Sequence, residues 1–163
     1  MKVEYKTKGD KKVSFVVSGI NYTLANAIRR SAMAYVPSMA IDRVTVYENT
    51  SIIYEEMIAQ RLGLIPLTTD LKTYKLPDEK YKQGDATYEC SFILEKEGPT
   101  TVYSSDLKSR DPKVKPVFDK IPIVKLAENQ KIKMEMSARL GFFGEHAKFQ
   151  PSLSSYKQLN DSD

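Results

Sequence analysis

The 163-residue sequence holds one cysteine, Cys90, one histidine, His146, and no tryptophan. A lone cysteine closes no disulfide within the chain. One cysteine and one histidine are too few soft ligands for a zinc finger or a cysteine-held iron–sulfur cluster, so neither a metal nor a cofactor is expected. Glycine is also scarce, at seven residues, and none has the spacing of a phosphate-cradling loop. The segment Gly141-Phe142-Phe143-Gly144 reads as a strand-ending turn instead. There is no apolar run of about eighteen residues, as a membrane span requires, and the first ten residues lack a hydrophobic signal region. These absences predict a cytoplasmic protein that makes no membrane contact.

What is present suits a packed domain. Hydrophobic residues make up 41% of the chain and charged residues 28%, and a chain of this length buries roughly two-thirds of its unfolded surface. Positive charge is concentrated in residues 1–50 and 101–140 and negative charge in 51–100. Segregation of this kind suits several faces that meet different partners.

Periodicity gives the elements. Val13, Phe15 and Val17 alternate with polar neighbours and predict a half-buried strand closed by Gly19. From Asn21 to Val36 the period becomes helical, and Pro37 stops it. Ile41, Val44 and Val46 predict a strand. Asn49-Thr50-Ser51 supplies capping side chains for a second helix, with Glu55 and Glu56 in its first turn and Gly63 and Pro66 at its end. Within residues 68–85, Thr68-Thr69-Asp70 and the polar stretch from Pro77 to Asp85 read as connecting loops. Tyr88, Cys90, Phe92 and Leu94 form one strand face, and Ile132, Met134, Met136, Ala138 and Leu140 form the cleanest one. Pro112, Pro116 and Pro122 reduce residues 104–126 to short pieces and turns. The class is α+β, without the regular alternation of parallel crossover units.

Few constellations suit catalysis. Glu145-His146-Ala147-Lys148 gathers an imidazole, a carboxylate and an amine without an evident acid–base partner, and Cys90 falls on an apolar strand face as an inert thiol. No catalytic residue is assigned. A second reading, a stand-alone basic nucleic-acid-binding protein, rests on Tyr103, Lys108, Arg110, Lys113, Lys115, Phe118 and Lys120. Asp106, Asp111 and Asp119 interrupt that patch.

The first helix carries the most information. Leu24, Ile28, Ser31 or Ala32, and Tyr35 follow one stripe, while Asn26, Arg29, Arg30 and Met33 fall at helical spacing on another. Ala27, Ser31 and Ala34 form a third, small-residue face. Guanidinium forks bind carboxylates and carbonyls bidentately and tolerate partial burial, so an arginine face beside an apolar one suits two protein contacts.

Asn21-Tyr22-Thr23-Leu24-Ala25-Asn26-Ala27-Ile28-Arg29-Arg30 and Val36-Pro37-Ser38-Met39-Ala40-Ile41-Asp42 resemble the N-terminal signature of the α-like subunits of RNA polymerase, most closely the archaeal D branch. Three further stretches extend the match in family order. They are Asn49-Thr50-Ser51 with residues 61–67, residues 103–116 with 121–124, and Ala138-Arg139-Leu140-Gly141 with residues 145–151. The resemblance implies a non-catalytic assembly platform within a nucleotidyltransferase complex. It implies a split α-like dimerisation domain whose first part is residues 1–37, an inserted mixed, strand-rich domain at 38–150, and the start of the return to the dimerisation domain at 151–163. The implied partners are a small α-like subunit, L, met by Leu24, Ile28, Ser31 and Tyr35, and the second-largest polymerase subunit, met by Asn26, Arg29 and Arg30. The small subunits N and P follow, and DNA is engaged only indirectly through the complex. Two positions depart from the pattern: Gln60 stands where the family commonly has His, and Phe143-Gly144 replaces the usual Gly-Lys. The archaeal D subunits also run well beyond the position of Asp163, so the resemblance implies a truncated or unusually short member.

Overall fold

The cleanest alternation in the sequence becomes the middle of the main sheet, with Ile132, Met134, Met136, Ala138 and Leu140 all buried. A computed structural model describes residues 1–9 and 11–159. In chain order the elements are β1 (Lys2–Lys8), β2 (Val13–Ser18), α1 (Tyr22–Ala34), β3 (Ser38–Asn49), α2 (Glu55–Gly63), β4 (Glu89–Glu97), β5 (Thr100–Tyr103), β6 (Lys108–Ser109), β7 (Pro122–Leu126) and β8 (Lys131–Gly141). Helices and antiparallel sheets are mixed without parallel crossovers, so the fold is α+β as expected.

Strand β8 runs antiparallel between β3 and β4, and β6 extends the far edge of β4. The inward side chains of these strands meet Ile58 and Leu62 of α2 and Val102, Ile123, Val124 and Leu126 of a second antiparallel pair, β5 with β7. Burying each large aliphatic or aromatic side chain contributes about 1.5–3 kcal/mol, so this interleaved layer holds the fold together. Pro122 is tolerated because it opens β7, where a missing N–H costs least. The loop reading within 68–85 agrees with the structure, which has no helix or strand there.

Two expectations need correction. Asn49-Thr50-Ser51 does not cap the second helix, which starts at Glu55 behind Tyr54 with no side-chain cap. The three side chains instead close the turn leaving β3. Asn49 Nδ2 donates to the Ile53 carbonyl at 3.0 Å, Ser51 Oγ donates to Asn49 Oδ1 at 2.7 Å, and Thr50 Oγ1 accepts from the Lys131 amide at 2.7 Å. Short polar side chains readily bond local backbone, and here they take the turn and the start of β8 instead of the helix N–H groups. Val13 and Phe15 of β2 are also exposed, not half-buried. Among the described residues their sheet has two strands, β1 and β2, and Phe15 meets Tyr5 across the pair, at 6.0 Å between rings. A two-stranded ribbon has no second layer of its own to cover it. Gly19 leaves β2 at φ +76°, a left-handed turn that glycine adopts without strain.

Candidate partner-binding site

Helix α1 begins where Asn21 Oδ1 accepts the Leu24 amide at 2.9 Å. It closes where the Tyr35 N–H donates to the Ser31 carbonyl at 3.0 Å, ahead of Pro37. Alanine-rich spacing sustains it between those ends. No residue of this helix is buried. Leu24 is 43% exposed, Ile28 38%, and Tyr35, just past the last turn, 70%. Ser31 is exposed beside them. The stripe expected from sequence is therefore present and uncovered among the described residues.

The polar side of α1 divides in two. Arg29 Nε donates to Asn26 Oδ1 at 3.1 Å and its Nη1 to Met33 Sδ at 3.5 Å, so the predicted spacing brings these three side chains together. Arg30 is exposed, with no hydrogen bond or ion pair among the described residues. The helix thus presents one guanidinium held in place by its own neighbours and one free to take a carboxylate or carbonyl. Near the end of the helix, at a residue of the apolar stripe, Ser152 Oγ donates to the Ala32 carbonyl at 2.8 Å. No sequence pattern marks that contact, because Ser152 lies in a stretch without periodicity.

The segment Glu145 to Lys148 belongs to a structural lock. Asp42 accepts from Arg139 Nε at 2.7 Å and from Lys148 Nζ at 2.6 Å, while Glu145 accepts from Arg139 Nη1 at 3.0 Å. Burial pushes the Asp42 carboxyl up, but the hydrogen bonds from Lys148 and Arg139 outweigh it and leave it below its ordinary 3.8. His146 Nδ1 accepts the Lys148 amide at 3.0 Å as the cap of a short 3₁₀ turn, so the imidazole is bonded to backbone and not to a carboxylate. Arg139 and Lys148 lie over the Phe149 ring at 5.1 and 5.2 Å. A cleft of about 230 Å³ beside this lock, lined by Ile41, Val44, Gly63 and His146, is mainly apolar. Its charged groups, Asp42 and Lys148, are already paired.

Sequence reasoning missed Glu89, an acid on a strand that alternation had turned outward. Its carboxylate is buried under the loop before β4, where it accepts from Arg43, Ser137, Tyr81 and the Gly84 amide. The basic stretch 101–140 is partly spoken for as well: Lys113 pairs with Asp70, and Lys11 covers the Phe118 ring at 4.3 Å. Among the described residues no three His, Cys, Asp or Glu side chains converge as a metal site. No described helix is long and apolar enough to cross a membrane.

An antiparallel sheet domain braced by ion pairs, joined to a two-stranded hairpin and an exposed helix, makes this an α+β protein. The chain belongs to the RNA polymerase Rpb3/RpoA insert domain family, whose model matches residues 43–158. It is 44% identical over 160 residues to the DNA-directed RNA polymerase subunit Rpo3 of Methanosphaera stadtmanae, a match that spans 94% of this chain and 59% of that protein. The Rpo3 subunits of Pyrococcus furiosus and Thermococcus kodakarensis are each 45% identical, over 96% of this chain and 59% and 60% of their own lengths. The chain therefore spans about three-fifths of these curated relatives.

Proposed function

We propose that this chain is part of a non-catalytic assembly subunit of a DNA-directed RNA polymerase, of the archaeal D type. Residues 1–37 then form the first part of a split dimerisation domain, 38–150 the inserted domain and 151–163 the start of the return. Leu24, Ile28, Ser31 and Tyr35 meet the small α-like subunit L, and Asn26, Arg29 and Arg30 meet the second-largest subunit. The small subunits N and P join that platform. DNA is reached only through the complex, nucleotidyl transfer belongs to other chains, and the role needs no cofactor.

The observation that carries this reading is α1, a well-capped helix without a buried residue, whose leucine and isoleucine are partly open to water on one side while an arginine without a partner among the described residues faces it on another. Covering the exposed two-fifths of Leu24 and Ile28 would contribute about 1 kcal/mol each, which their own chain forgoes. The names of the relatives support the same reading. Affinity isolation of the tagged full-length protein from its own cells tests it. Recovery of the large polymerase subunits is expected, and recovery without them would refute the assignment.

A further inference from the structure

Away from α1, the turn between β3 and α2 holds two large side chains in water. Ile52 is 86% exposed and Tyr54 76%, with Met57 of α2 at 55% one helical turn beyond Tyr54. The Met57 amide donates to the Tyr54 carbonyl at 3.1 Å, which keeps those two residues adjacent. Ile53, between the protruding pair, packs against the core.

The projection is built, not loose. Ser51 Oγ donates to Asn49 Oδ1 at 2.7 Å, the Ser51 amide donates to the same oxygen at 3.1 Å, and Asn49 Nδ2 closes on the Ile53 carbonyl at 3.0 Å. A rigid turn loses little conformational freedom when its side chains are captured, a property that raises affinity without new contacts. The Tyr54 hydroxyl has no hydrogen-bond partner among the described residues, and an amphipathic aromatic of this kind is the usual anchor of a protein contact.

Charge selects the occupant. Glu55 and Glu56 flank the projection, exposed and without a cationic partner among the described residues. The one cation of α2, Arg61, is committed to the Ile123 carbonyl at 2.6 Å. Two uncompensated carboxylates repel phosphate, so nucleic acid and anionic lipid are disfavoured here. A second copy docking this patch on itself about a twofold axis would bring four carboxylates together, which is equally unfavourable.

We propose that Ile52, Tyr54 and Met57, rimmed by Glu55 and Glu56, form a second docking surface for a protein partner that offers an apolar pocket bordered by lysine or arginine. This surface is independent of α1 and goes beyond the assembly reading. The test places a photoreactive benzoylphenylalanine at position 52 of the full-length tagged protein, irradiates intact cells and identifies the cross-linked peptide. The expected product joins this chain to a different polypeptide at a peptide containing lysine or arginine. The double variant Glu55→Lys, Glu56→Lys should lower the yield about tenfold, the scale of one hot-spot interaction, while the thermal midpoint falls by only about a few degrees, as loss of two anions from the start of α2 implies. Arg30→Ala should leave the same product intact, which separates failure at this surface from failure of the α1 reading. No cross-link, a cross-link only to a second copy or to nucleic acid, or a product indifferent to the charge reversal would overturn the proposal.

Discussion

Arg43 on β3 and Glu89 on β4 meet across the strand that separates them: Arg43 Nη2 donates to the two Glu89 carboxylate oxygens at 2.6 and 2.8 Å. Ser137 of the intervening β8 completes the bridge at 2.7 Å. Glu89 is nearly sealed, whereas Arg43 stays partly exposed. Removing the carboxylate leaves an unmatched guanidinium and three orphaned donors, so Glu89→Ala should destabilise by about 3 kcal/mol, the low end for a broken buried pair. Denaturant melts of the two proteins would measure it.

The same carboxylate predicts a pH response. Burial raises its pKa, yet hydrogen bonds from Tyr81, Ser137 and the Gly84 amide, with the Arg43 charge, hold it below the ordinary 4.5. Because the folded value is depressed, its contribution to stability is complete above about pH 4.5 and is lost as pH falls through the native value. Glu89→Gln should therefore flatten the acid limb of the stability curve below pH 4.5, read from thermal midpoints across that range. An unchanged slope would mean that Glu89 is not the group lost there.

Gly141 closes β8 directly against Phe149, where an added Cβ would lie 2.7 Å from the ring. The ring is buried, with Arg139 and Lys148 on its faces, so it has little freedom to withdraw. Gly141→Ala should cost about 1–3 kcal/mol by overpacking. The measurement is a denaturation midpoint, and chemical-shift changes should centre on Phe149.

The elements that could be read from sequence are those whose period matches their burial. Strand β8 and the Tyr88–Leu94 face follow strict alternation because one side packs on the core and the other meets water. Helix α1 was legible from its helical period and the Pro37 stop, while its Asn21 cap was not read from the sequence. Strand β1 was not legible, since all seven of its residues are exposed and only pairing with β2 defines it. The β5–β7 pair was hidden among prolines, and Glu89 looked like one more solvent-facing acid until the loop carrying Tyr81 covered it. Such features depend on distant segments, which local pattern does not encode.

Solvent exposure of the α1 stripe predicts an unusual tolerance. Leu24→Ser with Ile28→Ser trims side chains that are about two-fifths exposed and lie outside the core cluster, so the stability of the chain should fall by only about 1 kcal/mol per site. Phe92→Ala, inside the sheet layer, should cost about 3–5 kcal/mol. Parallel melts of the two variants make the contrast.

Under the proposed function α1 presents different chemistry to two neighbours, and subunit-by-subunit reconstitution of the full-length protein examines that directly. Leu24→Asp with Ile28→Asp should abolish pairing with the small α-like subunit. Arg30→Ala should preserve that pairing while weakening capture of the second-largest subunit by about tenfold, as loss of one charge-assisted contact at an interface implies. If both variants bind both neighbours as the unaltered protein does, or if both lose the same one, α1 is not a two-sided docking element.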